Sequence, residues 1–226
     1  MRALAIIVAA ATLIGCVAED NPNRRATLGA AIGALSGAVI GHQVNHGSGK
    51  WVGALAGALA GGAVGHYMDN QQREFEAALE RERQAHALEI ERLQDETLRL
   101  IVKNDISFDV DKDDVQYSFR PSLYRVGNVV KRYDQTVIHV IGYTDSTGAA
   151  AYNEDLSYRR AENVKRELVL AGVPESRIRI EGRGETEPRA NNGSPEGRQQ
   201  NRRVELFVKP VVQGNEQYAY EPPRYY

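Results

Sequence analysis

An acidic and a basic residue in the C-terminal half of the chain, Asp145 and Arg160, have the chemistry to bind a charged ligand together. Asp145 lies in the segment Gly-Tyr-Thr-Asp-Ser-Thr-Gly of residues 142–148, and Arg160 follows fifteen positions later. A carboxylate accepts hydrogen bonds from an ammonium group, and the planar guanidinium of arginine can donate two parallel hydrogen bonds to a carboxylate. If the fold places both side chains at one rim, the pair can bind a zwitterion.

The elements that must position this pair are a strand and a helix. Residues 136–141 alternate and are rich in β-branched side chains, which predicts a strand that ends shortly before Asp145. Residues 153–171 are predicted to form a helix with Asn153 as its N-cap. Arg160 follows Asn153 by two helical turns and so lies on the same helical face. We therefore expect Asp145 and Arg160 to converge at one rim of the sheet.

The same patterning extends over roughly 110 residues, a length that is sufficient for one hydrophobic core. Predicted strands and helices alternate along it in the order strand 98–102, strand-like segment 106–108, helix 117–133, strand 136–141, helix 153–171, strand 177–181, a loop with a short helix, and strand 204–208. This order predicts an α+β fold, an α/β sandwich with a βαβαβ-type sheet and its helices on one side.

Three motifs in this order resemble the OmpA-like peptidoglycan-binding domain over about residues 98–209. They are Val-Ile-Gly-Tyr-Thr-Asp at 140–145, Leu-Ser-x-x-Arg-Ala at 156–161 and Asn-Arg-Arg-Val-Glu at 201–205. The resemblance implies that Asp145 accepts the ammonium group of diaminopimelate in the peptidoglycan stem peptide and that Arg160 holds a carboxylate. It also implies that four further residues frame the pocket, namely Thr144, Asn153, Asn201 and Arg202.

Other interpretations of these residues were open. Asp145 and Arg160 could pair only with each other as a structural salt bridge, and Arg203 and Glu205 are predicted to be ordinary charges on a strand face. The acidic run from Asp109 does not predict a calcium loop, because an EF-hand would need Gly and Glu where the chain has Asp114 and Arg120. With no catalytic set in register, the sequence predicts neither an enzyme nor a cofactor or metal.

The N-terminal segment resembles a lipoprotein signal peptide. A positive start is followed by an apolar run over residues 3–14 and then by Gly15 and Cys16, the only cysteine in the chain. The resemblance implies that residues 1–15 are removed and that Cys16 is acylated, which anchors a lipidated linker of residues 16–25 in the outer membrane and leaves the C-terminal domain in the periplasm. An uncleaved anchor or an ordinary secretory signal was the alternative.

A glycine repeat follows over residues 26–68. Glycines recur every fourth residue in two runs, Gly29, Gly33, Gly37 and Gly41, then Gly53, Gly57, Gly61 and Gly65. A four-residue period places them on one helical face, where two backbones can approach closely. The pattern resembles a glycine-zipper helical hairpin, which could be membrane-associated or self-associating as a homo-oligomer, a soluble packed pair, or two spanning helices. His42 and His46 have metal-ligand spacing, but without a third ligand we interpret them as turn residues.

Residues 69–97 are dense in Glu, Arg and Gln and predict a charged helical connector, and residues 210–226 predict a flexible tail. The net charge of −2 gives no basic excess for nucleic acid. The expected function is a non-catalytic tether that binds peptidoglycan and is held by outer-membrane lipid through Cys16. The alternative is an oligomeric membrane assembly or an envelope-machine component that is built through the glycine hairpin.

Overall fold

The computed structural model describes residues 49–109 and 111–224. The chain divides after Gly62 into two units, and the second unit contains the sheet. The helices are α1 (Gly49–Ala78), α2 (Glu80–Gln84), α3 (Asn104–Ser107), α4 (Arg120–Arg132), α5 (Ala150–Leu170) and α6 (Pro195–Asn201). The strands are β1 (Leu88–Arg92), β2 (Leu98–Lys103), β3 (Thr136–Tyr143), β4 (Ile178–Gly182) and β5 (Arg203–Pro210). Two 3₁₀ turns occupy Glu175–Arg177 and Glu216–Tyr220.

The five strands form one mixed sheet in the order β1-β2-β5-β3-β4. The pairs β1–β2, β2–β5 and β5–β3 are antiparallel, whereas β3 and β4 are parallel. Parallel neighbours need a crossover connection, and α5 provides it here. Every residue of the two central strands, β3 and β5, is buried. The carboxyl end of β3 and the start of α5 therefore face the same edge of the sheet, which the sequence predicted for Asp145 and Arg160.

One face of the sheet packs against the helices in a single core. Alternate residues of the strands contribute Leu98, Leu100, Val102, Ile138, Val140, Val204, Leu206 and Val208. The helices contribute Met68, Phe75, Leu123, Val126, Val130, Ala161, Val164 and Leu168. This mixed α/β layering confirms the predicted fold class. No helix within residues 49–109 and 111–224 combines the length and the apolar character that a membrane crossing requires.

The prediction of one helical connector over residues 69–97 is wrong in its second half. The helix α1 continues to Ala78, α2 follows, and residues 88–92 then form the edge strand β1. Leu88 and Ile90 contact the core, while Glu89 is exposed. Pairing with β2 outweighs the helical propensity of Glu and Arg, and charged residues are common on edge strands because they discourage further pairing.

Three other predicted elements differ from the structure. Residues 104–107 form the short helix α3 where a strand-like segment was expected, and only Phe108 forms an isolated bridge, with Val115. The helix α5 begins at Ala150 after an extended Ala149, so Asn153 lies inside the first turn and is not the N-cap. The tail is not simply flexible, because Ala219 in its 3₁₀ turn is fully buried.

The predicted signal peptide, the lipidated Cys16, the linker and the first glycine run lie outside the described residues. The second glycine run lies in α1, whose helical backbone passes the expected boundary at residue 68 and continues for ten more residues. From Met68 onward this helix contributes to the core of the sheet domain.

Candidate functional site

A cavity of about 750 Å³, called the main cavity below, opens where β3 ends and α5 begins. Five of the six predicted binding residues line it, namely Thr144, Asp145, Asn153, Arg160 and Arg202. Asp145 and Arg160 therefore converge as expected. Thr144 and Asp145 lie just past the end of β3, and Asn153 and Arg160 lie two turns apart on α5.

Asp145 is held in a fixed orientation by two donors. Its Oδ2 accepts a hydrogen bond from Arg202 Nη1 at 2.7 Å, and its Oδ1 accepts one from the backbone N–H of Thr147 at 2.8 Å. Burial alone would raise the pKa of Asp145, but these hydrogen bonds outweigh burial and hold the pKa below its usual value. Asp145 is therefore a carboxylate at neutral pH, with acceptor capacity left on both oxygens.

Arg160 is only 2% exposed, and its guanidinium lies at the main cavity. Its Nε donates to the backbone carbonyl of Lys112 at 3.0 Å, and its guanidinium carbon lies 5.3 Å from the centre of the Phe108 ring. Burial lowers the pKa of Arg160 to about 10, against an opposing effect of Asp113. Within residues 49–109 and 111–224, no carboxylate lies within ion-pair distance of Arg160, so the salt bridge between Asp145 and Arg160 that was open from the sequence does not form.

Asn153 fastens the loop that carries Asp145. Its Nδ2 lies within hydrogen-bond distance of the backbone carbonyls of Asp145 (3.3 Å) and Thr147 (3.1 Å) and of Glu185 Oε2 (2.7 Å). The residue is 3% exposed. Its position inside the first turn of α5, and not at the cap, is what lets the amide reach back to this loop.

Asn201, which was predicted to frame the pocket, does not line the main cavity itself. The side chain is fully buried, and it bonds both the N–H and the carbonyl of Ala190, at 2.9 and 2.8 Å. Its Nδ2 also donates to Asn192 Oδ1, which accepts a hydrogen bond from the N–H of Ser146. Asn201 therefore supports the site through the loop of residues 190–192.

Arg203 and Glu205 were expected to be ordinary strand-face charges, and this is also wrong. They are 2% and 0% exposed and form an ion pair at 2.5 Å. The guanidinium carbon of Arg203 lies 3.7 Å from the centre of the Tyr143 ring, and Arg203 Nη2 donates a hydrogen bond to the carbonyl of Glu187 at 3.1 Å. The pair fixes the loop that follows β4 against the end of β3.

A further part of the wall comes from Asp109, Asp111 and Gln116, which follow α3. Asp109 and Asp111 line the cavity, and Asp111 accepts a hydrogen bond from Tyr152 Oη at 2.6 Å. Tyr152, Leu156 and Arg160 all line the cavity. Their i, i+4, i+8 spacing on α5 is the signal that could have identified Tyr152.

The chemistry of the main cavity is that of charge recognition. Its lining contains three carboxylates (Asp109, Asp111 and Asp145) and three guanidinium groups (Arg160, Arg198 and Arg202). The lining includes no His, Cys or Ser that could serve as a base or as a nucleophile. No cluster of three metal-ligating side chains occurs in the part of the chain that the structure describes.

Comparison with known proteins agrees with this architecture. The OmpA family model matches residues 107–202, and the YMGG-like Gly-zipper model matches residues 1–69. The probable lipoprotein YiaD of Escherichia coli (strain K12) is 38% identical over 148 residues, which cover 66% of this chain and 65% of YiaD. The outer-membrane lipoprotein YfiB of Pseudomonas aeruginosa is 32% identical over 116 residues, 51% of this chain and 69% of YfiB.

Among solved structures, the cell wall anchor of the T6SS from Pseudomonas aeruginosa superposes with a TM-score of 0.56 at 29% identity. The superposition covers 62% of this chain and 99% of that one. The chain thus spans slightly under two thirds of YiaD and almost all of the solved anchor domain.

Proposed function

The chain belongs to the OmpA family, and on that premise we propose that its C-terminal domain binds peptidoglycan without catalysis and tethers the outer membrane to the cell wall. The ligand is the diaminopimelate of the stem peptide. Asp145 accepts its ammonium group, and Arg160 donates to a carboxylate. Thr144, Asn153 and Arg202 complete the site, and Asn201 supports it from behind.

The observation that supports this proposal best is the state of Arg160. A buried guanidinium without a carboxylate partner is costly, because its desolvation is not offset by an opposite charge. At the main cavity this charge faces space that a ligand carboxylate can occupy. A bidentate pair would then neutralise it, while Asp145, a few residues past β3, remains available for a cation.

The non-catalytic part of the proposal rests on the lining. The cavity presents charges of both signs, and its described lining contains no His, Cys or Ser. The names of the relatives agree, since they describe lipoproteins and, for the solved structure, a cell wall anchor.

The membrane end of the tether is Cys16, which lies in the segment that resembles a lipobox. Two or more acyl chains anchor a protein firmly where one does not. Attachment at both ends of one chain gives each end a high local concentration at its target, so a modest affinity of the domain for peptidoglycan suffices. The protein would lie at the outer membrane with this domain in the periplasm.

The test is a pull-down with purified peptidoglycan sacculi. Arg160→Met removes the charge but keeps an apolar stem beside Phe108, and it should weaken binding by about 2–5 kcal/mol. Arg166→Met is the matched control, because Arg166 is an exposed arginine on the same helix and does not line the cavity. Free diaminopimelate should compete with sacculi for the unaltered protein. Equal binding by both variants would refute the assignment of the site.

A second function has one specific observation in its favour. The Gly-zipper match and the four-residue glycine period support self-association of residues 26–68 into an oligomeric membrane assembly. Crosslinking of the full chain in membranes, compared with a chain that lacks residues 26–68, tests it. If both chains are monomeric, the proposal of an oligomeric assembly is refuted.

A further inference from the structure

A second cavity, of about 510 Å³, lies on the face of the sheet opposite the helices. Val204, Leu206 and Val208 of β5 point into the core, so the alternating Phe207 and Lys209 point to this other face and line the second cavity. The turn between β1 and β2 and the tail after residue 217 complete the wall. None of its lining residues falls within residues 107–202, the part that the OmpA family model matches.

Lys209 is an unusual residue for such a wall, because it is only 2% exposed. Its Nζ donates to the backbone carbonyl of Glu221 at 2.9 Å and lies 4.0 Å from the centre of the Tyr218 ring. In the described part of the chain no carboxylate comes within ion-pair distance of Lys209. An ammonium group has three N–H donors, so this buried charge has donors to spare for an acceptor in the cavity.

Thr97 gives a second, independent indication of a ligand. The residue is 1% exposed and lines the same cavity, and its Oγ1 has no hydrogen-bond partner among residues 49–109 and 111–224. A buried hydroxyl without a partner is unfavourable. The Thr97 hydroxyl can thus donate to an oxygen acceptor in the second cavity, and so can an N–H of Lys209 that is not used by the carbonyl of Glu221.

Two other charged groups that line the second cavity, Asp95 and Arg99, are already engaged. Asp95 accepts hydrogen bonds from Tyr218 Oη at 2.9 Å and from the N–H of Thr97 at 3.2 Å. Arg99 forms an ion pair with Glu91 at 2.6 Å.

The tail that lines this cavity is held in place by hydrogen bonds to its backbone carbonyls. The carbonyls of Ala219, Glu221 and Pro223 accept hydrogen bonds from His139, Lys209 and Arg183 at 2.8, 2.9 and 2.9 Å. Every second carbonyl of the tail from residue 219 to residue 223 therefore accepts a hydrogen bond from a side chain of the sheet or of the loop after β4. The wall is a built surface, and its apolar part consists of Leu93, Phe207, Pro222 and Pro223.

We propose that the second cavity binds an organic monocarboxylate with an apolar body. The carboxylate accepts hydrogen bonds from Lys209 and Thr97, and the apolar body packs against Phe207 and the two prolines. Such a group occurs as a free small acid and as the C-terminal carboxylate of a peptide. This site is separate from the one proposed for peptidoglycan, and each of the two binding proposals can hold or fail without the other.

The test uses calorimetric titration of the full chain in detergent with benzoate, and with benzyl alcohol as the neutral match of similar shape. All titrations are made in the Arg160→Met background, which weakens binding of the probe at the main cavity. Lys209→Met and Thr97→Val should each weaken benzoate binding at least about tenfold, since hydrogen bonds to a charged group are worth about 1.5–3 kcal/mol. Benzyl alcohol should bind weakly and equally to all variants.

A second pair of probes, the tripeptide Gly-Gly-Phe with a free or an amidated C-terminus, separates the two sources. Tighter binding of the free tripeptide than of benzoate assigns the site to peptide termini, and the reverse assigns it to small acids. Two results overturn the proposal: benzoate binding that Lys209→Met and Thr97→Val both leave unchanged, and binding of benzyl alcohol as tight as that of benzoate. Thr97→Val retains every charge and the side-chain shape, so it tests the site even if Lys209→Met does not fold.

Discussion

Arg202, and not Arg160, is the ion-pair partner of Asp145: Arg202 Nη1 lies 2.7 Å from Asp145 Oδ2. Asp145 and Arg160 are fifteen positions apart, and the sequence left a direct pair open as the alternative to a shared ligand, whereas Arg202 lies just before β5, fifty-seven positions from Asp145. The consequence is a division of roles. Arg202 keeps Asp145 ionised, and Arg160 keeps its charge available for a ligand.

Arg202→Met should therefore change the pH dependence of peptidoglycan binding. Without the hydrogen bond from Arg202, burial acts on Asp145 with less opposition, and the pKa of Asp145 rises. Because the ammonium of the ligand requires the carboxylate form, binding to sacculi should then be lost at a higher pH than in the unaltered protein. Sacculus binding measured from about pH 3 to 7 checks this.

Arg198→Met is the control for that experiment. Arg198 also lines the main cavity, but its guanidinium donates to the carbonyl of Asn192 and not to Asp145. Its variant should retain the midpoint pH of the unaltered protein. Identical midpoints for Arg202→Met and the unaltered protein would show that Arg202 does not set the charge of Asp145.

The buried pair of Arg203 and Glu205 leads to a prediction about stability. Removing one partner leaves an uncompensated charge inside the protein, so Glu205→Ala should lower the free energy of unfolding by about 3–5 kcal/mol. Glu91→Ala is the control, since Glu91 pairs with Arg99 at a partly exposed position and such pairs contribute roughly 0–1 kcal/mol. Urea denaturation measures both. A loss for Glu205→Ala as small as that for Glu91→Ala would contradict the structure of this pair.

His139 should make the fold sensitive to mild acid. Burial lowers the pKa of His139 to about 4, against the opposing effect of its hydrogen bond to the carbonyl of Ala219. The folded state thus binds this proton less readily than the unfolded chain, whose His pKa is about 6.5. The stabilisation by neutral His139 is complete above about pH 6.5 and is lost as the pH falls toward 4, by about 3 kcal/mol in total.

The measurement is the free energy of unfolding in urea at about pH 7.5 and 4.5, for the unaltered protein and for His139→Gln. The variant should lose much of the difference between the two pH values. His86→Gln, in an exposed turn, serves as the control and should retain it. If His139→Gln shows the full acid-dependent loss, another group is responsible.

Local patterns predicted the parts of the site that are close in sequence. The alternation of residues 136–141 and the helical spacing from Asn153 to Arg160 are short-range signals, and both hold in the structure. A one-residue shift of β3 would turn each of its side chains to the opposite face of the sheet, because strand side chains alternate between faces. The convergence of Asp145 and Arg160 was therefore predictable from one strand, one loop and one helix.

The remaining parts depend on contacts between distant segments. Residues 88–92 have a helical composition and become a strand only because β2 offers a partner. Asn201 shares its motif with Arg202, yet only the fold decides that one side chain turns inward to Ala190 and the other outward to Asp145. The docking of the tail over Lys209 likewise has no local signal in its Tyr- and Pro-rich sequence.

Gln71 is a place where the core can be improved. It is fully buried between Met68 and Phe75 on α1, and neither Nε2 nor Oε1 has a hydrogen-bond partner among the described residues. An unpaired buried polar group costs about 1–3 kcal/mol, so Gln71→Leu, which has a similar volume and no polar atom, should raise the free energy of unfolding by a comparable amount.

Gln72→Leu is the matched control, because Gln72 Nε2 donates to Glu76 Oε1 at 2.8 Å and the side chain is only half-buried. Urea denaturation of the two variants should therefore give opposite or clearly unequal changes. A loss of stability in Gln71→Leu would mean that the amide of Gln71 is satisfied in solution, and that α1 contributes a polar contact to the domain in addition to its apolar ones.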